Sequence, residues 1–283
     1  MTLTNLNEIA EYIVSNGKGI LAADESTGTI KKRFDSINTE STEQSRKTYR
    51  EMLFQADGMK GNIGGVILFE ETLKQISEDG TSLVKVISNQ GALPGIKVDK
   101  GLSPINDNSE ETVTNGLDDL DQRCKEYFEL GAKFTKWRAV INIGNDVPTD
   151  NCINENMHRL ANYAKIVQTN KMVPIVEPEV IMDGSHSIDE CYEVTSRVLK
   201  SLFKHLKDKN VDITGTILKP NMVISGNSCP IQAGVKEVAE KTVKCLLENV
   251  PEELPGITFL SGGQSDIDAT AHLDAMNKIG GFS

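Results

Sequence analysis

Gly215-Thr216-Ile217-Leu218-Lys219-Pro220-Asn221-Met222 reads as a buried strand, apolar and partly β-branched, closed by a proline that cannot continue a ladder. The lysine at its last position is the anomaly. Its ammonium must reach water, pair with a carboxylate or lose its proton. The third option is what a Schiff-base enzyme needs, because only the neutral amine attacks a carbonyl. At an ordinary pKa of about 10.4, roughly one lysine in 2,500 is neutral at pH 7. Lowering that pKa by ~3 units takes about 4 kcal/mol of differential interaction, which the rest of the chain would have to supply.

Outward from this stretch the same pattern repeats. Apolar strand candidates lie at 19–24, 64–69, 95–99, 134–139, 173–177 and 256–261, with the quoted stretch sixth in order. Helical periodicity fills most intervals. An opening helix carries Ile9, Ala10, Ile13 and Val14 on one face. Ser41-Thr42-Glu43-Gln44 has the form of a capping box before a face of Tyr49, Met52, Leu53 and Ala56. Leu120, Cys124 and Tyr127 mark a helix ended at Gly131, and Ile153, Met157, Leu160 and Ala164 mark another. Ser187 and Glu190 cap a helix using Val194, Val198 and Leu202; Val238, Val243 and Leu246 mark the next, and Ser265 opens a last one reaching about Lys278.

Alternating strands and helices predict a parallel sheet covered by helices. No G-x-G-x-x-G follows a strand and no P-loop is present, so a dinucleotide-type open sheet lacks its usual signature. The expected fold is α/β, a TIM (β/α)8-type barrel forming one domain over residues 1–283. About seven βα units are present. An eighth strand would begin near 280–283, so the sequence reads as truncated before it, with the first and seventh strands left as exposed edges.

Composition narrows the function. The 283 residues are 38% hydrophobic and 25% charged, and the net charge of −11 argues against nucleic acid or an anionic membrane as partner. Cys124, Cys152, Cys191, Cys229 and Cys245 form no C-x-x-C pair, and no N-x-S/T acceptor occurs. A reduced, cytoplasmic protein is expected. The histidines (His158, His186, His205, His272) form no metal-ligand motif and read as ordinary surface or core residues, so no metal is expected.

Ionisable residues recur where strands end: Asp24, Lys97, Asp99, Lys136, Arg138, Glu177, Glu179 and Lys219. Taken singly, Asp99, Lys100 and Glu179 read as solvated rim charges, and 134–138 could be an edge strand protected by charge. As a set they are harder to dismiss, because C-terminal strand ends surround a barrel's active site. Alternation puts Lys136 and Arg138 on one face with Trp137 opposite; Glu177 and Glu179 share a face unless Pro178 breaks the strand. A cation such as Lys136 beside Lys219 would favour its neutral form. Ser261-Gly262-Gly263-Gln264-Ser265, after the seventh strand and before a helix, can offer backbone N–H groups to phosphate, with Lys97, Arg138 and Arg33 adding charge. The implied substrate is a compact anionic carbonyl compound.

These residues resemble the class I (Schiff-base) fructose-1,6-bisphosphate aldolases. The matching stretches, in family order, are GKGILAADESTG at 17–28, GGVILFEETL at 64–73, GIKVDKG at 95–101, FTKWRAV at 134–140, VPIVEPE at 173–179, TILKPNMV at 216–223 and TFLSGGQS at 258–265. The resemblance implies retro-aldol cleavage of fructose 1,6-bisphosphate without a cofactor, by a homotetramer. It implies Lys219 as imine-forming lysine, Glu177 as proton shuttle, Asp24 as acceptor of the C4 hydroxyl proton and Lys136 as a stabilising charge. Lys97, Arg138, Ser261, Gly262 and Gly263 fall on substrate and phosphate positions, Glu179 on a supporting carboxylate, and Arg33 and Arg46 on family arginines at the substrate. Thr29 stands where many members carry serine. Two other readings fit the same residues: a transaldolase-type Schiff-base lyase, and a non-catalytic scaffold lacking a wall of the barrel.

Overall fold

A computed structural model describes residues 3–107 and 109–280. Its sheet holds six parallel strands in the order β1 (Gly19–Ala23), β2 (Ile63–Leu68), β3 (Leu93–Lys97), β6 (Phe134–Ile141), β7 (Val173–Val180) and β8 (Ile217–Leu218). A small antiparallel pair, β4 (Leu102–Pro104) and β5 (Thr112–Thr114), interrupts the βα rhythm and was not foreseen from the sequence. This is a TIM-type α/β fold. The expected seventh strand is reduced to a bridge between Leu218 and Ile257, continued when Thr258 and Leu260 donate to the carbonyls of Leu218 and Pro220. The expected start of an eighth strand falls at 281–283, outside the described residues.

Alternation along the strands divides the molecule into two layers. Residues 66, 68, 96, 137, 139, 176 and 218 face outward, into a core beneath the covering helices; there Trp137 lies 5.4 Å from the Tyr163 ring of α7 (Asp150–Thr169). The opposite parity points into the barrel. At its lower end Ile67, Phe134, Val173, Ile175 and Ile217 pack on Ile9, Ala10 and Ile13 of α1 (Leu6–Ile13), which plugs the bottom. Further up the same faces the residues become Asp24, Lys97, Lys136, Arg138, Glu177, Glu179 and Lys219. Strand β6 is central, between β3 and β7, so its charges are not edge protection.

Pro178 does not end β7. Odd positions of this strand direct their N–H groups to β6, as Val173 and Ile181 show by donating to Lys133 and Ile141. Pro174 and Pro178 are even, and face β8 beyond the two residues where it pairs. Past Pro220 the Asn221 side chain takes over, its Oδ1 accepting from Val180 N at 3.0 Å.

Helix boundaries follow the sequence signals with two corrections. The capping box of α3 (Glu43–Phe54) is formed by Thr42 and Ser45, one residue beyond the expected Ser41 and Gln44. Its inward face is Arg46, Arg50 and Phe54, while Met52 is 59% exposed. The capped starts at Ser187 and Ser265 stand where expected. Among the described residues no helix is long and apolar enough to cross a membrane, and no cysteine is in a disulfide.

Gly95 and Gly65 make room for the Phe134 ring: a Cβ at Gly95 would lie 2.3 Å from Phe134 Cε2, and one at Gly65 2.8 Å from Cε1. At Gly19, in β1, a Cβ would meet nothing within 4 Å. We expect Gly95→Ala to cost about 1–3 kcal/mol in urea unfolding through overpacking, and Gly19→Ala less than about 0.5 kcal/mol. Equal midpoints for the two variants would contradict this account of the barrel floor.

Candidate active site

The upper faces of the strands enclose a cleft of about 530 Å³ lined by five cations (Arg33, Lys97, Lys136, Arg138, Lys219) and four carboxylates (Asp24, Glu25, Glu177, Glu179). A chain of net charge −11 thus forms here a cleft in which cations outnumber anions. Thr29, Ser261, Gly262 and Gly263 complete its rim.

At its centre stands Glu177, whose side chain is 4% exposed. Register sets it beside Arg138 on β6, one step beyond the pairing of Val176 with Leu218. Lys219 Nζ donates to Glu177 Oε1 at 2.5 Å. Lys136 Nζ lies 3.1 Å from Oε2, near enough for an ion pair but off the line of a hydrogen bond, and 2.9 Å from Asp24 Oδ2. Four side chains from β6, β7 and the ends of β1 and β8 thus form one chain of charge: Asp24, Lys136, Glu177, Lys219.

Burial opposes ionisation of Glu177, yet the charges of Lys136 and Lys219 and the hydrogen bond from Lys219 hold its pKa below the usual range. Asp24 is treated alike: burial opposes its charge, and Lys136, with Lys219 and Lys97 farther off, overcomes it and lowers the pKa. For Lys136 burial again acts against the charge, and Glu177, Asp24 and Asp99 raise its pKa. Both carboxylates are anions at neutral pH, able to accept protons, and Lys136 is a fixed cation.

The flanking groups are paired as well. Lys97 Nζ sits 2.8 Å from Asp99, whose side chain is 6% exposed, and Arg138 is paired with the buried Glu179. Asp99 and Glu179 are therefore not rim charges; Lys100, half exposed and paired with Asp119, is one. Arg33, on α2 (Thr27–Asp35), reaches Glu25 at the mouth. Thr29, in the first turn of that helix, shares a 3.1 Å hydrogen bond with the N-cap Ser26.

Opposite α2, Ser261 to Gln264 form a tight turn in which Gln264 N donates to Ser261 O at 3.2 Å. Gly262 and Gly263 have φ of +63° and +90°, the left-handed pair of a type I′ turn that glycine adopts without steric cost. The turn leads into α10 (Asp266–Ile279), so its N–H groups stand at a helix start, a geometry suited to an anion.

Of the sequence-predicted residues, the structure gathers Lys219, Glu177, Asp24, Lys136, Lys97, Arg138, Glu179, Arg33, Thr29, Ser261, Gly262 and Gly263 around this cleft. It does not bring Arg46 there. Arg46 is held by Glu71 through Nε at 3.0 Å and Nη2 at 2.7 Å, and by Ser41 O. Sequence reasoning missed Glu25 and the fully buried Arg50 that fixes it, donating to Glu25 O and Thr72 Oγ1. The one available signal was the spacing of Arg46 and Arg50 on a single helical face. Among the described residues no group of three or more His, Cys, Asp or Glu is placed to hold a metal ion.

Known proteins resemble the chain over almost its whole length. The family profile described as glycolytic, "Fructose-bisphosphate aldolase class-I", matches residues 5–282. A "Probable fructose-bisphosphate aldolase class 1" of Xanthomonas campestris is 53% identical over 280 residues, 99% of this chain and 84% of the relative. "Fructose-bisphosphate aldolase 1" of Toxoplasma gondii is 53% identical over 277 residues, 97% of this chain and 76% of the relative. The solved fructose-bisphosphate aldolase of Plasmodium falciparum superposes with a TM-score of 0.95 at 49% identity, covering 98% of this chain and 80% of that one.

The depressed carboxylates make stability acid-sensitive. A group whose folded pKa lies below its unfolded value contributes fully above the unfolded value and loses that contribution as pH falls through the folded one. For Asp24 and Glu177 the loss begins below their ordinary values of 3.8 and 4.5. In urea melts Asp24→Asn should show a shallower decline of stability below pH about 4.5 than the wild type. Superimposable acid limbs would mean that the Asp24 pairing adds nothing to stability.

Proposed function

The chain belongs to the class I fructose-bisphosphate aldolases, and from that premise we propose how its own residues carry out the family's reaction. The enzyme is a lyase that reversibly cleaves fructose 1,6-bisphosphate to dihydroxyacetone phosphate and glyceraldehyde 3-phosphate, in glycolysis and in the reverse direction. Class I members work through a lysine Schiff base rather than a metal. The observation that carries our assignment is the contact of Lys219 Nζ with Glu177 Oε1 on the inner wall of the barrel, below a glycine turn suited to phosphate.

Glu177 takes a proton from Lys219, and the freed amine attacks the C2 ketone of the open-chain sugar. Glu177 then returns a proton to the carbinolamine hydroxyl, which leaves as water, and a protonated imine remains. Asp24, ionised and held by Lys136, accepts the C4 hydroxyl proton. The C3–C4 bond breaks, its electron pair passes into the imine as an enamine, and glyceraldehyde 3-phosphate departs. Asp24 gives up the proton it took, one proton is added at C3 in exchange through solvent, and addition of water to the imine releases dihydroxyacetone phosphate and restores Lys219. Lys136 stays charged throughout, which favours the anionic forms from which Asp24 and Glu177 accept protons and to which they return.

Two phosphates need cationic or N–H partners at both ends of the cleft. We assign the turn of Ser261, Gly262 and Gly263 to one, and Arg33, Lys97 and Arg138, with Thr29 nearby, to substrate charge elsewhere. Glu179 orients Arg138. Arg46, tied to Glu71, supports the α3 wall rather than touching substrate. No cofactor enters these steps. The same reading takes residues 1–283 as one barrel domain of a cytoplasmic homotetramer; three related plant enzymes carry the name cytosolic.

Borohydride added with dihydroxyacetone phosphate should attach the three-carbon unit to Lys219, as peptide mass spectrometry would locate. Glu177→Gln should lower kcat by about 10²–10⁴. EDTA should leave activity intact. Labelling at Lys136 or another lysine, or loss of activity with EDTA, would sink the assignment.

A further inference from the structure

We infer that His272 is a positioning residue for the phosphate turn, acting through the side-chain amide of Gln264. The inference rests on the reading that Ser261 to Gly263 receive a substrate phosphate, and it explains how a turn built on two adjacent glycines is kept in one shape.

Glycine adopts left-handed backbone freely, but for the same reason it does not hold it. Something outside the turn must fix the directions of the Gly262 and Gly263 N–H groups. Gln264 Nε2 donates to Ser261 O at 2.7 Å, beside the 3.2 Å bond from its own backbone N. Two donors from one residue thus clamp the carbonyl that closes the turn.

The clamp works in only one orientation of the amide. A carbonyl oxygen only accepts, so the amide nitrogen must face Ser261 and Oε1 must face away. Oε1 lies 2.6 Å from His272 Nδ1, and an amide oxygen likewise only accepts, so Nδ1 carries the proton. His272 is 8% exposed, on α10 one turn before the fully buried Met276, and cannot easily swing away. Burial lowers its pKa, against a smaller opposing effect of Asp268, but Nδ1 remains a donor whether the ring is neutral or charged.

With the Nδ1–H removed, Gln264 can rotate or flip, one of the two bonds on Ser261 O is lost, and phosphate must order the turn as it binds. Such a residue affects substrate binding while leaving the reacting atoms alone, so KM should rise with little change in kcat. Losing one neutral hydrogen bond corresponds to a rise of roughly three- to tenfold.

The test compares His272→Leu with His272→Asn, since an asparagine Nδ2 can occupy the place of histidine Nδ1. In His272→Leu the KM for fructose 1,6-bisphosphate and the inhibition constant of inorganic phosphate should both rise about three- to tenfold, with kcat changed less than about twofold. His272→Asn should restore both constants. Gln264→Met should reproduce the leucine variant, and the double variant should add little further. Unchanged KM in His272→Leu and Gln264→Met would overturn the proposal. So would equal impairment of the leucine and asparagine variants at wild-type melting temperature, which would indicate lost packing. Amide NMR of the wild type separates the underlying reading: if inorganic phosphate leaves the Gly262 and Gly263 resonances unmoved, the turn is no phosphate site and both readings fall.

Discussion

The site depends on a single buried carboxylate placed between two ammonium groups. Glu177 with neither lysine would be an anion in an apolar barrel; Lys136 and Lys219 without Glu177 would be like charges facing each other across it. Removing one member of such a set leaves uncompensated buried charge, a penalty of about 3–5 kcal/mol. The arrangement is thus self-consistent only when complete. It also keeps a proton acceptor in contact with the amine proposed to lose its proton.

The parallel barrel makes this arrangement attainable from a linear chain. Each strand needs only period-two alternation to put its apolar residues low and its charged residue high on the same inner face. Phe134 and Lys136, Ile175 and Glu177, and Ile217 and Lys219 are three instances. The covering helices and the α1 plug bury the apolar parts, and the upper ends share one cleft. The β6 to β7 register then decides which charges become partners.

Much of this was legible in the sequence because it is local. Apolar runs located the strands, parity sorted Lys136 and Arg138 from Trp137, and Ser187 and Ser265 marked helix starts. What escaped were pairings over long sequence separations. Arg46 and Arg50 are buried on α3 because Glu71 and Glu25, each 25 residues from its partner and on opposite sides of the helix in sequence, come back to meet them. Within the helix only the i, i+4 spacing of the two arginines hints at it, and the more apolar Tyr49 and Met52 looked like the inward face. The capping register slipped for a similar reason: Ser41 and Thr42 both carry hydroxyls, and Ser45 completed the box where Gln44 had been expected. The histidines were passed over because a histidine's role here lies in a tautomer, set by what Gln264 must do with its own oxygen.

The two prolines of β7 have one more consequence. They withhold N–H groups from the side where β8 lies, β8 pairs over only two residues, and its other neighbour is joined by a bridge rather than a strand. The wall bearing Lys219 is therefore stitched to the rest of the sheet by fewer main-chain links than the wall bearing Lys136. In the proposed mechanism Lys219 begins bonded to Glu177 and later carries a covalent six-carbon sugar, a load that so lightly stitched a wall can yield to while β7 and β1 hold Glu177 and Asp24.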